Sequence, residues 1–573
     1  MKRKSDDQNI IEKIIAIEPS IFKTLCLEKC SICLDYHIKG DTIMTSCKHE
    51  FGKICFTNWM TKDICNHCCP NCREKITHIY LYKKVISSTK FNAMLNKLME
   101  RFIKYLNFSK LEYKQYQYDG VRWMLNNELM DEPVCSIRGG FIADEMGLGK
   151  TIMMIALMLC NFRSKTLIVV PPILIQQWYD TIFNTTKHEP LIYHGKMKKN
   201  ISMEIINSHK IVITTYGAIT LTVYDVINNE TTLLHRIKWS RIIFDEAHHL
   251  RNSKTTIYNG AKMLSGQIKW LVSGTPIQNS KSDFYSLCSI IGIPKTYYSK
   301  TENLKSLAKA FILKRTKKQL GIKMKKLVIE THIVKWGNQK EMDLAQGIHS
   351  LLSFSNVSPR ILDTQLINCI QHYEILPLFL LARQSCIYPK LLSDKLNEFN
   401  NLSCNYEYFN YSSKLNFIVD KILQRKDNGR GKLIFCHFYK EMDEIAARLR
   451  AKGINEVAIF DGRTCFNNRN TILQDKNKVL ILQVQTGCEG LNLQQNYSEI
   501  YFVSPHWNPA VEAQAIARCH RIGQKKTVYV DKFVMDSFPQ NNKNNVLIDT
   551  VNIEKYASSL QEFKREIAQE ILE

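Results

Sequence analysis

At 573 residues the chain has room for three or four domains with sizeable cores, and 45% hydrophobic with 23% charged content is ordinary for a soluble globular protein. Its longest apolar runs, such as Ile152 to Cys160, are too short to span a bilayer, and the start Met1-Lys2-Arg3-Lys4-Ser5 lacks the apolar segment of a secretory signal. An intracellular protein is therefore expected, in the nucleus or, for a viral chain, at a cytoplasmic replication site or in the virion. A net charge of +24 favours polyanionic partners.

Nine of the 19 cysteines fall between Cys26 and Cys72, and the rest are scattered in apolar runs, as Cys160, Cys288 and Cys436 are. Scattered cysteines of this kind read as reduced core residues, whereas paired spacing in an intracellular chain argues for metal rather than disulfides. The pattern opens with Cys30-Ser-Ile-Cys33, continues through Cys47-Lys-His49 and Cys55, and closes with Cys69-Pro-Asn-Cys72. Pairs spaced by two residues form knuckles that give two thiolates to one tetrahedral Zn²⁺. The order resembles a RING finger, whose eight ligands bind two zinc ions in a crossed arrangement. That resemblance implies one complete set, Cys47, His49, Cys69 and Cys72. It leaves the other with Cys30, Cys33 and Cys55, because its fifth-ligand position falls on Gly52; Cys26, Cys65, His67 or Cys68 could complete it. It also implies a possible ubiquitin-conjugating enzyme or other protein as a partner, met by a surface near Cys33 and Pro70 on which Ile32 and Pro70 stand.

After a linking segment, the run Ala143-Asp144-Glu145-Met146-Gly147-Leu148-Gly149-Lys150-Thr151 follows the apolar stretch Gly140-Phe141-Ile142 and opens into an expected helix over Ile152 to Cys160. A strand-loop-helix order aims backbone N–H groups and a helix N-terminus at one spot, which suits phosphate. Gly147 and Gly149 let the backbone come close, Lys150 can reach the β- and γ-phosphates of a nucleotide, and the Thr151 hydroxyl can ligate Mg²⁺. Asp144 stands where the usual lead-in begins with Gly. Further on, Trp239 to His248 reads as a buried strand ending in Asp245-Glu246-Ala247-His248. A strand-end Asp is placed to hold Mg²⁺, and the next Glu to orient and deprotonate a water. Both motifs predict a nucleoside triphosphate hydrolase.

Short apolar strands are predicted at Thr166–Val170, Lys210–Thr215, Ile242–Phe244 and Trp270–Ser273. A second series is predicted at Lys432–Cys436, Val457–Phe460, Val479–Val484, Ile500–Val503 and Val528–Phe533. Helical stretches between them give an α/β chain with two parallel sheets, each covered by helices on both faces.

In order and spacing the motifs resemble those of Swi/Snf-type superfamily-two ATPases. Tyr116 to Met124 is similar to the adenine-reading segment, with Gln117 bonding the adenine edge. Val169-Val170-Pro171-Pro172 through Gln177-Trp178 and Thr214-Thr215-Tyr216 are similar to segments that contact the nucleic-acid backbone. Val272 to Asn279 resembles the coupling motif, Phe311-Ile312-Leu313-Lys314-Arg315 and Ile387-Tyr388-Pro389 landmarks between lobes, and Gln485 to Leu493 the fifth motif. Gln514 to Gln524 resembles the sixth. Arg518 and Arg521 are three apart, so a helix would put them on one face, and the resemblance has them stabilise charge on the γ-phosphate. Asp144, Glu145, Met146 and Leu148 join the nucleotide-binding set.

The resemblance implies two RecA-like lobes, ATP as substrate and double-stranded DNA as partner. Expected domains are an N-terminal segment at 1–25, a RING-like zinc finger at 26–78, a linker at 79–110, the first lobe at 111–295, a helical inter-lobe region at 296–410 and the second lobe at 411–573. The expected activity is that of an ATP-driven DNA translocase that remodels protein–DNA complexes. Alternatives are a RING-type ubiquitin ligase delivered to DNA by the motor, and an ATP-switched transcription or termination factor.

Overall fold

In the computed structural model the residues described are 14–16, 30–32, 42–60, 68–81, 88–130, 137–228, 231–275, 281–299, 301–352, 375–393, 410–464, 471–472, 478–484, 491–538 and 550–572. They fall into two compact units, residues 1–104 with 122–138 and residues 105–121 with 139–573.

In the first unit, strands β1 (Ile14–Ala16), β2 (Thr42–Thr45), β3 (Glu50–Gly52) and β4 (Ile79–Leu81) make a sheet in the order β1-β4-β2-β3. β1 runs parallel to β4, and β2 antiparallel to β3 and β4. Helix α1 (Lys53–Met60) follows β3 directly. Ile43, Phe51, Phe56 and Ile76 are buried with Cys30 and Cys69, and the Phe51 and Phe56 rings stack at 5.5 Å. The segment expected as a linker contains α2 (Ser88–Ser109), in which Leu95, Met99, Phe102 and Leu106 repeat every three to four residues and are buried.

The second unit contains two parallel sheets. The first is built from β5 (Arg138–Ile142), β6 (Thr166–Val170), β7 (Leu191–Tyr193), β8 (Ile211–Thr215), β9 (Trp239–Asp245), β10 (Gly266–Val272) and β11 (Ile312–Leu313), in the order β11-β5-β10-β9-β6-β8-β7. The other is built from β12 (Leu327–Val334), β13 (Gly431–Cys436), β14 (Val457–Phe460), β15 (Val479–Gln483), β16 (Tyr497–Phe502) and β17 (Val528–Met535), in the order β12-β17-β16-β13-β15-β14. These are the two α/β lobes that the strand series predicts. Alternation along a strand fills both faces: Leu433 and Phe435 join one core cluster, Ile434 and Cys436 another.

The stretch 296–410, expected as helical, differs from that expectation. It holds helices, but it also gives β11 to the first sheet, parallel to β5, and β12 to the second, parallel to β17 from Leu327↔Val528 to Val334↔Met535. The chain between them, 314–326, is therefore the connector from one sheet to the other.

In the second lobe the helices used below are α3 (Gln339–His349), α4 (Ile375–Ile387), α5 (Ser413–Gln424) and α6 (Ile553–Leu572). α6 is tied down by charge and by a neutral ring. Lys414 of α5 pairs with Glu554 in full burial, and the second Glu554 oxygen accepts from Met535 N at 2.8 Å. His349 Nε2 accepts from Ile553 N at 3.1 Å, which leaves Nδ1–H to donate to the Ala345 carbonyl at 2.7 Å. Only the uncharged imidazole can do both, and burial pushes its pKa down to about 4.

Because the pKa of His349 is depressed in the folded state, its contribution is present above the ordinary value of 6.5 and is lost as pH falls towards 4. His349→Gln keeps a donor and an acceptor but does not titrate. Between pH 7 and pH 5 the parent should lose about 2 kcal/mol more stability than this variant. Urea unfolding of both proteins at the two pH values measures the difference; parallel losses would refute it.

Candidate functional site

The site begins where β5 ends. Residues 143–149 form a loop, and a helix, Lys150–Cys160, starts immediately after it. Gly147 (φ 88°) and Gly149 (φ 82°) adopt left-handed backbone that side-chain-bearing residues avoid, which curls successive N–H groups inward. Gly149 is the helix N-cap and no side chain caps it, so the first helical N–H groups remain available to an anion. Gln117 is braced against this loop rather than projecting from it. Its Nε2 donates to Leu148 O at 3.1 Å, and a Cβ on Gly149 would lie 2.4 Å from that nitrogen.

The two acids ahead of the glycines face the connector. Asp144 is fully buried and receives two parallel bonds from Arg315, Nε to Oδ1 at 3.1 Å and Nη2 to Oδ2 at 2.5 Å. That pairing gives a physical reason for an aspartate at the usual glycine position: the guanidinium demands a carboxylate. Glu145 accepts from Lys317 Nζ at 2.8 Å and from Lys317 N at 2.7 Å. Lys150 Nζ donates to the Asp144 carbonyl at 2.9 Å. Burial pushes the Lys150 ammonium below its usual range, while Glu246, Asp245 and Asp144 pull it back.

Strand β9 delivers Asp245 and Glu246 to the same place. Trp178 Nε1 donates to Asp245 Oδ2 at 2.7 Å, Glu246 N to Asp245 Oδ1 at 3.0 Å, and Tyr216 OH to the Asp245 carbonyl at 2.6 Å. Trp178, Thr214, Thr215 and Tyr216 are all buried, so these members of the segments expected to touch nucleic-acid backbone serve as internal supports. Glu246 has a left-handed backbone (φ 50°), and its buried Oε2 lies 3.3 Å from His248 Nδ1. Burial raises both carboxyl pKa values. For Asp245 the neighbouring Glu246 adds to the rise; for Glu246 the side chains of His248, Lys150 and Arg518 outweigh it and hold the group ionised.

From the second lobe come Arg518 and Arg521, which line one cleft with Gly147, Lys150, Thr151, Asp245 and Glu246. The expectation that a helix aligns the two arginines is corrected. The helix Pro509–Ile516 ends before them, and both lie in the turns that follow, where Cys519 between them is fully buried. Arg521 donates to Asn492 Oδ1, and its Cγ lies 3.3 Å from the point a Gly147 Cβ would occupy. Contacts continue away from Glu246: His248 Nδ1 is 3.5 Å from Ser273 Oγ, Thr275 N donates to Ser273 Oγ at 3.3 Å, and Gln514 Nε2 donates to Thr275 Oγ1 at 3.4 Å. Gln485–Gly490 and Pro276–Asn279 lie outside the described residues.

In the first unit, one ligand atom from each of Cys47, His49, Cys69 and Cys72 lies within 4.8 Å of all the others. His49 Nδ1 faces Cys47 Sγ at 3.5 Å and Cys69 Sγ at 3.7 Å. For Cys47 burial opposes ionisation, but His49, Thr45 and the neighbouring thiols outweigh it and draw the thiol down to about 6. Of the other set, Cys30 and Cys55 are described, and Gly52 N donates to Cys30 Sγ at 3.3 Å. Cys33, Cys26, Cys65 and His67 fall outside the described residues, and Cys68 joins no ligand cluster among the described ones.

The SNF2-related domain family matches residues 116–300, and the helicase conserved C-terminal domain family matches residues 413–523. The chain belongs to the Swi/Snf-type group of superfamily-two ATPases. It is 27% identical to an uncharacterized ATP-dependent helicase of Mycoplasma genitalium, over 85% of this chain and 47% of that protein. It is 27% identical to a probable global transactivator of Orgyia pseudotsugata multicapsid polyhedrosis virus, over 74% of this chain and 86% of that protein. It is 25% identical to the DNA repair protein RAD5B of Arabidopsis thaliana, over 70% of this chain and 44% of that protein. The chain thus spans less than half the length of the Mycoplasma and Arabidopsis relatives. No helix among the described residues is long and apolar enough to cross a membrane.

Lys317, Trp178 and Tyr216 are site residues that motif spacing did not single out for these roles. Trp178 lies in the helix Ile175–Thr186 that follows β6, Tyr216 directly follows β8, and each is a buried aromatic residue with a polar tip that needs a partner. Removing the Asp144 partner tests the charge balance. Arg315→Ala should destabilise the protein by about 3–5 kcal/mol in urea unfolding, and Arg315→Lys should recover only part, since an ammonium cannot supply two parallel N–H bonds. A loss under 1 kcal/mol would mean that Asp144 finds another partner.

Proposed function

We propose that this chain is a DNA-dependent ATPase that uses ATP to move along duplex DNA and remodel protein–DNA complexes. The observation carrying this reading is the convergence of Lys150, Thr151, Asp245 and Glu246 from one lobe with Arg518 and Arg521 from the other on a single cleft. Family membership, the DNA repair and helicase names borne by relatives, and the charge of +24 support DNA as the partner.

The loop N–H groups and Lys150 bind and orient the phosphates. Thr151 and Asp245 have the oxygen donors to hold Mg²⁺, and the buried carboxylate between Trp178 and Glu246 fits such an ion. When bound, the metal neutralises phosphate charge. Glu246, held ionised and lining the cleft, orients the attacking water and takes its proton. Arg518 and Arg521 stabilise charge that develops on the γ-phosphate, which ties hydrolysis to the position of the second lobe. The contacts from Glu246 through His248, Ser273 and Thr275 to Gln514 give that lobe a second link to the water-orienting group.

Glu246→Gln should still bind ATP but turn over about 100-fold more slowly or worse. ATP hydrolysis should rise with duplex DNA more than with RNA at matched salt. The affinity for duplex should fall linearly with the logarithm of salt concentration. Parent-like turnover by Glu246→Gln would remove its assigned role, and stronger stimulation by RNA would overturn the substrate.

A second reading concerns the cysteine knuckles. Cys47, His49, Cys69 and Cys72 form a donor set suited to structural Zn²⁺, and their proximity favours a RING-like module, with ubiquitin transfer as its possible activity. Metal analysis of the purified chain should find tightly held zinc, and Cys69→Ser should reduce it. Two ions per chain would mean that a further ligand completes the set of Cys30, Cys33 and Cys55. No zinc would defeat the module, and ubiquitin chains formed with a conjugating enzyme would establish a ligase.

A further inference from the structure

Lys317 lies in the connector, outside every nucleotide motif, yet it is only 5% exposed. A lysine this buried needs a partner, and Glu145 supplies it twice, through Nζ at 2.8 Å and through the backbone N–H at 2.7 Å. The Lys317 side chain also reaches the phosphate loop. Its Cε lies 3.6 Å from the point a Gly147 Cβ would occupy, beside Arg521 Cγ.

The backbone around this pair is knitted to the loop. Ala143 N donates to Leu313 O at 2.8 Å and Glu145 N to Arg315 O at 2.9 Å, extending the β5–β11 pairing to the edge of the glycines. Beyond Lys317 the connector turns, with Ile322 N donating to Lys317 O at 3.0 Å. It then meets the second lobe at the turn that carries the arginines, where His520 Nε2 donates to Lys325 O at 2.8 Å. Val528 N donates to Lys326 O at 2.9 Å, after which β12 begins. One short segment thus grips the phosphate loop at one end and the arginine turn at the other.

We propose that Glu145 and Lys317 form a latch that fixes the connector to the phosphate loop, making Lys317 a positioning residue of the nucleotide site. The latch holds the glycines in the curled shape that receives phosphate and sets the span between that loop and the arginine turn. Shape held in advance is affinity gained, because the ligand need not order the loop. The proposal rests on the nucleotide-site reading above, but not on DNA as the partner.

The test is equilibrium binding of a fluorescent ATP analogue to the full chain without DNA, beside a thermal melt of each variant. Lys317→Ala and Glu145→Gln should each weaken binding about fivefold or more, with the double variant no weaker than the worse single one. Lys317→Arg should restore most of the affinity. A purely structural role would lower the melting temperature and leave the affinity of the folded protein unchanged, and that result overturns the latch. If Lys317→Ala does not fold, the charge-swapped pair Glu145→Lys with Lys317→Glu decides. Affinity above that of either swapped single variant supports the latch, and a folded swap no better than the singles overturns it. Failure of DNA to stimulate the parent would sink the motor reading alone, since binding is read without DNA.

Discussion

A nucleotide site withdrawn from water depends on every charge meeting an opposite one. An uncompensated carboxylate or ammonium in the interior costs several kcal/mol, more than a contact or two can offset. Here Asp144 meets Arg315, Glu145 meets Lys317, and Lys150 sits among Asp144, Asp245 and Glu246. Arg518 adds positive charge from the second lobe and helps keep Glu246 ionised. The acids belong to the first sheet, whereas their cations come partly from the connector and the second lobe. The balance therefore exists only when all three are in place, which makes the site a product of the assembled unit and not of the loop alone.

Parallel sheets determine where this balance forms. Strand ends of one polarity gather on one edge, so β5 and β9 deliver the phosphate loop and the Asp245–Glu246 pair to neighbouring positions although about a hundred residues separate them. The second sheet places its own polar cluster likewise. His437 follows β13, Ser504 and His506 follow β16, and Arg383 donates to His437 Nε2 at 2.6 Å and to Ser504 Oγ at 3.3 Å. Burial first and Arg383 second hold His437 and His506 neutral, so this corner is knitted by hydrogen bonds to an uncharged ring rather than by ion pairs.

What was legible in the sequence was what local physics dictates. The runs at 166–170 and 457–460 became strands over the predicted residues, because a continuous β-branched or apolar run bounded by polar residues has few other ways to be buried. The resemblance to a RING finger grouped Cys47 and His49 with Cys69 and Cys72, and the structure brings the four together; spacing by itself joins only the two members of each pair. Strand β11 escaped because two residues carry no period, and β12 because Glu330, Thr331 and His332 interrupt its apolar run. The turn after Ile516 escaped because residue spacing alone does not show where a helix stops. The pairing of Arg315 with Asp144, 171 residues apart, is a tertiary fact with no local trace.

The bonds in the cleft are not equally firm, and the inequality has a direction. Arg315 to Asp144 and Trp178 to Asp245 are short, charge-assisted contacts at 2.5 and 2.7 Å that belong to the loop and strand-end framework. The path from Glu246 to the second lobe consists of contacts at 3.3, 3.5, 3.3 and 3.4 Å, near the outer limit of hydrogen bonding. Hydrogen bonds weaken with length, so parting of the lobes along Thr275 and Gln514 sacrifices weak contacts and spares strong ones. The bonds that hold the phosphate loop and Asp245 in place do not run through Thr275 or Gln514. Under the proposed function, the elements that such a parting would release, the arginine turn and His248, are those assigned to hydrolysis rather than to holding nucleotide.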